Sequence, residues 1–196
     1  EESSGDQIEY LSLLVQINRE RGSMTFKVPK LLIKLKQMLE EIKNCRGVHP
    51  KGGKLKYPLD PYSKDIFEET SEDNPIVPYS EYDSRSILGL AAYIVLHTRP
   101  DCAYAAAVCA RFSGCRNTKK VTEAVNHLAW YLIDTAEDHI LTFWKTDAIS
   151  ELNAFSDASF ANCPITRKSH YGYFMRYGEN IFGWRSKLQS IPALSS

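Results

Sequence analysis

The 196-residue sequence has no excess of either charge. Lys plus Arg and Asp plus Glu both total 24, so no global basic field marks a nucleic-acid binder. No apolar run approaches the ~18 residues of a membrane-spanning helix, and no secretory signal opens the chain. Neither a span nor a membrane partner is expected. The five cysteines leave an odd one and include no C-x-x-C pair, which argues against a disulfide framework and for a reducing setting, cytoplasmic or nuclear. With no H-x-x-x-H pair either, Cys102 and Cys109 read as core residues rather than zinc ligands. The sequence also holds no GxxxxGK[ST] frame and no nucleophile elbow, which leaves a phosphate loop or covalent catalysis unsupported.

One long stretch lacks periodicity. From Asn44 to Tyr79 the chain carries Gly47, Gly52, Gly53, Pro50, Pro58, Pro61, Pro75 and Pro78 and reads as an exposed linker. Around it, periodic segments are plain. Gln7 to Asn18 is apolar at Ile8, Tyr10, Leu11, Leu13, Leu14, Val15 and Ile17 and is followed by a turn at Arg21-Gly22-Ser23. With Met24 to Phe26 returning, this predicts a β-hairpin. Pro29 stands where helices start, and Leu31, Leu32, Leu35, Leu39 and Ile42 recur at helical spacing. The polar face of that helix, with Lys30, Lys34, Lys36 and Lys43, is either solvated or set against duplex phosphates.

Three further helices are predicted. The first follows a Ser80-x-x-Asp83 start signal and runs to Leu96. The second is capped by Asp101 and holds Ala103, Ala105, Ala106, Ala107 and Ala110. The third runs from Thr118 to Thr135, with His127 opposite its apolar stripe and therefore exposed. Ile140 to Trp144 reads as a strand.

The stretch from Leu152 to Leu188 carries the strongest pattern. Alternation through Leu152, Ala154 and Phe155, an aromatic run from Tyr171 to Tyr177, the turn Gly178-Glu179-Asn180 and the run Ile181 to Trp184 predict a three-stranded antiparallel meander. Its first strand is expected to be half-buried and carries a single carboxylate, Asp157, between small residues.

Here the residues carry a resemblance. FSDASFA, TRKSHYGYFM and IFGWRSKLQSIPALSS, in that order, resemble the opening of the ribonuclease H domain of copia-type LTR retrotransposon Pol polyproteins, whose pattern is roughly YSDADWA, TRKSTSGY, ISWKSKKQ and VALSSTEAEY. Upstream, Tyr82 to Gly89 with His97-Thr98-Arg99-Pro100-Asp101 resembles the family's YRSLVGSLMYLxxxTRPD segment. The resemblance implies an α+β chain in four parts: a thumb-like hairpin and helix over 1–45, a linker over 46–79, a helical connection over 80–146, and the N-terminal part of a ribonuclease H-like domain over 150–196.

It further implies Asp157 as a catalytic residue and Mg²⁺ ligand. Two-metal hydrolysis uses ions roughly 4 Å apart and needs several converging carboxylates. The family's second ligand, a Glu, would follow Ser196, and Asp147, Glu151 and Glu179 match no ligand position. No YxDD-like turn is present. The expectation is a chain inactive by itself, whose parent is a reverse transcriptase/ribonuclease H. Its implied partners are an RNA/DNA hybrid, for which Arg167, Lys168, Arg185 and Lys187 are the candidate contacts with solvated surface charge as their alternative, and the remainder of Pol or another protein covering the open sheet. The alternative is a domesticated, non-catalytic protein-interaction module.

Overall fold

A computed structural model of the chain describes residues 6–42, 46–50, 53–58, 66–113, 116–146 and 151–191. The fold is mixed α+β, with four α-helices and two antiparallel sheets among the described residues. The first sheet contains β1 (Gln7–Tyr10), β2 (Leu13–Asn18), β3 (Ser23–Lys27) and β4 (Leu141–Trp144), in that order. The expected single strand from Gln7 to Asn18 is thus two strands. Leu11 and Ser12 break it at φ 50° and 66°, the left-handed pair that a two-residue hairpin turn requires. Neither residue advertises such a turn as Asn-Gly would. Tyr93 helps hold it by donating from Oη to the Leu11 carbonyl at 3.0 Å.

Four helices form the core: α1 (Pro29–Glu40), α2 (Ser84–Thr98), α3 (Ala103–Ser113) and α4 (Lys119–Asp134). α1 has no capping side chain but opens on Pro29, and buries Leu35 and Leu39. α2 begins where Asp83 accepts from the Arg85 and Ser86 amides, three residues beyond the expected start at Ser80. α3 presents Ala105, Ala106, Val108 and Cys109 to the core, small enough for close helix approach. Asp101 does not cap it. Pro100–Cys102 forms a 3₁₀ turn, and the Asp101 carboxylate instead pairs with the Arg99 guanidinium at 2.9 and 2.7 Å.

The segment read as a linker is the main correction. Among its described residues, Leu55, Ile66 and Val77 are each at most 3% exposed and belong to the core. They follow no period because each fills a separate gap against the helices. The backbone of this segment is held by α4: Trp130 Nε1 donates to the Gly47 carbonyl, Asn126 Nδ2 to Val48 and His127 Nε2 to Tyr57. His127 is therefore buried, because the segment wraps the face that periodicity assigns to water. His49 and the Leu55 amide both bond to Asp134.

Tyr82 sits in this core at 1% exposure, and its hydroxyl has no hydrogen-bond partner among the described residues. Burial holds the phenol well above its ordinary pKa, and nearby Cys109 adds to this. A buried hydroxyl without a partner destabilises the fold. Tyr82→Phe is expected to raise unfolding free energy by about 1 kcal/mol, measurable by denaturant titration.

The second sheet is β5 (Leu152–Ser159), β6 (His170–Tyr177) and β7 (Asn180–Leu188), the meander expected from sequence. It docks through β7 on α3 and β4. Asn180 fastens the two sheets: its Oδ1 accepts from the Trp144 amide at 2.6 Å and its Nδ2 donates to the Trp144 carbonyl at 2.8 Å. Trp184 Nε1 reaches the Val95 carbonyl of α2 at 3.2 Å. No helix among the described residues is long and apolar enough to cross a membrane.

Candidate functional site

Asp157 lies near the middle of β5, paired in register with Gly172, which is paired in turn with Ser186. Directly opposed residues share a face. One face therefore carries Phe155, Asp157, Phe174, His170, Trp184 and Ser186. It is the face turned toward the helices, since Trp184 meets α2 and Tyr104 of α3 meets His170 edge-on at 5.1 Å. β5 reaches beyond the helices and remains exposed along nearly its whole length, not half-buried as its alternation suggests. Phe155 and Phe174 stack on each other at 4.7 Å instead. Gly172 places no side chain beside Asp157, which leaves the carboxylate open to approach.

Among the described residues that carboxylate stands alone. Glu151 is six residues away along an extended strand, about 20 Å, and Glu179 lies in the far turn, 3.9 Å from Arg176. Asp147 lies outside the described residues. No group of three or more His, Cys, Asp or Glu side chains clusters among the described residues. A hard cation such as Mg²⁺ demands several oxygen ligands, and one exposed Asp does not meet that demand. These residues alone do not fit the metal.

The four basic candidates divide. Arg185 is paired with Tyr173 and Lys187 with Tyr171, so these four side chains occupy the outward face, opposite Asp157. A β-bulge decides this. The register shifts between Met175 and Arg176, leaving Phe182 as an extra residue in β7; without it, Arg185 would oppose Gly172 and share the face of Asp157. Arg167 lies in the β5–β6 loop at φ 54° and is exposed. Lys168 is tied down, its ammonium donating to the Ser190 carbonyl.

Comparison with known proteins agrees with one origin for the whole region. The chain is 33% identical over 192 residues to the retrovirus-related Pol polyprotein from transposon TNT 1-94 of Nicotiana tabacum, covering 93% of this chain and 13% of that polyprotein. It is 25% identical over 206 residues to the transposon Ty1-LR3 Gag-Pol polyprotein of Saccharomyces cerevisiae, covering 98% of this chain and 11% of that one. Homologues over nearly the whole chain are retrotransposon Pol polyproteins, which supports a Pol-derived origin. The chain spans about an eighth of the length of those two relatives. An uncharacterised mitochondrial protein of Arabidopsis thaliana is 34% identical over 115 residues, 58% of this chain and 46% of that protein. No protein-family model matches the chain, and no solved structure matches it.

Within this Pol region, one polar cluster escaped the sequence reading. Cys163, at 1% exposure, accepts at Sγ from Arg111 Nη2 at 2.7 Å, Thr166 Oγ1 at 3.0 Å and the Thr166 amide at 3.3 Å. Burial pushes its thiol up. Thr166, Arg111 and the Ile165 amide outweigh burial and bring it down to about 7. Nothing in the sequence signals this, because Arg111 is 52 residues away. The same Arg111 charge, after burial, lowers the pKa of His170. Cys102 and Cys109 behave oppositely: burial pushes the first far up and the second to about 12.

A thiol depressed in the folded state stabilises that state above its unfolded pKa and loses the contribution as pH falls through the folded value. Between pH about 9 and about 7, stability should decline with falling pH relative to Cys163→Ser. The difference in thiolate ultraviolet absorbance between the two proteins should titrate near pH 7, and Arg111→Met should move that midpoint upward.

Proposed function

We propose that this chain is the thumb-to-ribonuclease H region of a copia-type reverse transcriptase/ribonuclease H, and that its task is to hold an RNA/DNA hybrid rather than to cut it. The observation that carries this reading is the outward face of the meander, where Arg185 and Lys187 alternate along β7 and stand beside Tyr173 and Tyr171. Cations at every second strand position reach successive backbone phosphates, and neighbouring tyrosines lie against sugars. Arg167, exposed in the β5–β6 loop, is proposed as a further phosphate contact. Neutral overall charge does not oppose it, since binding depends on the local patch.

Asp157 is proposed as one ligand of a Mg²⁺ site that needs further carboxylates from the polyprotein. On this reading the chain alone should not hydrolyse a labelled RNA/DNA hybrid with Mg²⁺, and Asp157→Asn should leave that result and hybrid affinity unchanged. Cleavage by the chain that disappears in Asp157→Asn would show that the site is complete, and would overturn the holding role.

The open β5 edge supports a protein partner as well. Among the described residues β5 pairs only with β6; Phe155 on it and Phe174 of β6, stacked on each other, are 43% and 40% exposed, and an unpaired strand edge is a ready template for another strand. The remainder of Pol is the proposed cover. A tight protein complex in a chain indifferent to nucleic acid would instead favour a domesticated interaction module.

A further inference from the structure

The face of the first sheet turned away from the helices carries a groove of about 470 Å³. Phe26 and Phe143 meet at 5.0 Å on the opposite face, the side of Leu32 and Ile94, so alternation sends their neighbours outward. Register then lines up Gln7, Gln16, Thr25 and Thr142 as one row across all four strands, with Ser23 and Trp144 in the row beside it. The first row spans roughly 14 Å, and the second lies about 7 Å from it. All six side chains line the groove.

Trp144 is 49% exposed, although its amide and carbonyl are both engaged by the Asn180 side chain; what stays open is the indole. A single exposed aromatic means little, but this one borders polar groups that the fold leaves unused. Gln16, Ser23 and Thr25 are half-buried, and among the described residues no hydrogen bond occupies their side chains or that of Gln7. Charge sums to about zero at this end of the sheet: Asp6 is paired with Arg19 at 3.2 Å, and Arg21 stands beside Glu20 in the turn. The groove therefore suits an uncharged flat ring with a polar edge rather than a phosphate. An indole stacks on the face of any base, and a carboxamide sets a donor beside an acceptor, as base edges do. We propose that this groove binds an unpaired nucleobase, stacked on the Trp144 indole with its edge against the Gln16 and Gln7 carboxamides. That the base belongs to a bound strand rests on the holding role proposed above, while the groove lies on a different sheet from Arg185 and Lys187.

The test titrates the full chain with a short oligodeoxyadenylate and with an abasic strand of the same length and charge, following tryptophan emission and the anisotropy of labelled strand. Trp130 and Trp184 are tied through their indole nitrogens to the Gly47 and Val95 carbonyls, so quenching that disappears in Trp144→Leu reports the open ring. The oligoadenylate should bind and quench, and the abasic strand should do neither. Trp144→Leu and Gln16→Leu should each weaken binding roughly tenfold, by a similar factor at about 50 and about 200 mM salt, since neither contact is ionic. Both variants should fold, because Asn180 holds the main chain of residue 144 and Gln16 lies on the outer face; thermal unfolding checks this. If the oligoadenylate quenches through Trp144 while the hybrid does not bind, the groove stands and the holding role falls. If the hybrid binds through Arg185 and Lys187 while the oligoadenylate leaves emission unchanged, the holding role stands and this proposal falls. Equal binding of the abasic strand, or an affinity that Trp144→Leu leaves intact, also overturns it.

Discussion

Asp101→Ala should destabilise the fold by about 3–5 kcal/mol, a large part of the ~5–15 kcal/mol typical of a folded domain. Arg99 is only 3% exposed. Its guanidinium bonds to both Asp101 oxygens, to Thr135 Oγ1 at 2.8 Å and to the Leu132 carbonyl at 3.4 Å. Removing the carboxylate leaves a buried cation facing neutral dipoles, and the cost is that of an uncompensated charge rather than of one lost contact. The expected drop in unfolding temperature is at least about 6 °C for a chain of this size. Arg99→Met combined with Asp101→Leu should lose much less than Asp101→Ala, since it removes both charges together.

The same pair gives the fold an acid limit. Burial works to raise the Asp101 pKa, but the hydrogen bonds and charge of Arg99 overcome it and hold the carboxyl below its ordinary value. A depressed carboxylate contributes stability above its unfolded pKa and loses it as pH falls through the folded value. The gap between the native chain and the double variant should narrow below pH about 4.

The second large effect concerns binding. Arg185→Gln with Lys187→Gln should weaken RNA/DNA hybrid binding roughly tenfold to a hundredfold at low salt. Both side chains are exposed, so their loss should leave stability nearly unchanged. Each phosphate contact releases condensed counterions, and losing two should flatten the dependence of log affinity on log salt by about two. Neutralising acidic Asp157 on the opposite face should produce no such flattening.

What was legible in the sequence followed periodicity. α1, α2 and α4 announce themselves by apolar spacing and α1 also by Pro29 at its start, although α2 begins at Asp83 rather than at the expected Ser80, and the meander shows by alternation and Gly178. What was not legible depends on contacts between distant segments. Leu11 and Ser12 turn the chain without turn chemistry. Leu55, Ile66 and Val77 are core residues in a segment with no period, and His127 is covered by a loop carbonyl 70 residues away in sequence.

The candidate site fails to read for a subtler reason. The residues Asp157, Arg185 and Lys187 are all visible in the resemblance, yet their faces depend on register. One extra residue, Phe182, opposite the junction of Met175 and Arg176 moves both cations to the other side of the sheet. Single-residue register shifts reverse every side chain beyond them, and no local pattern in IFGWRSKL marks where one occurs.

The most direct test of the holding role is the affinity of the unmodified chain for a labelled RNA/DNA hybrid, measured by fluorescence anisotropy between about 50 and 200 mM salt. The account predicts saturable binding whose logarithm falls with the logarithm of salt at a slope of about −2 or steeper, flattened in Arg185→Gln/Lys187→Gln. No binding at the lowest salt, or a slope that the double substitution leaves unchanged, would contradict it.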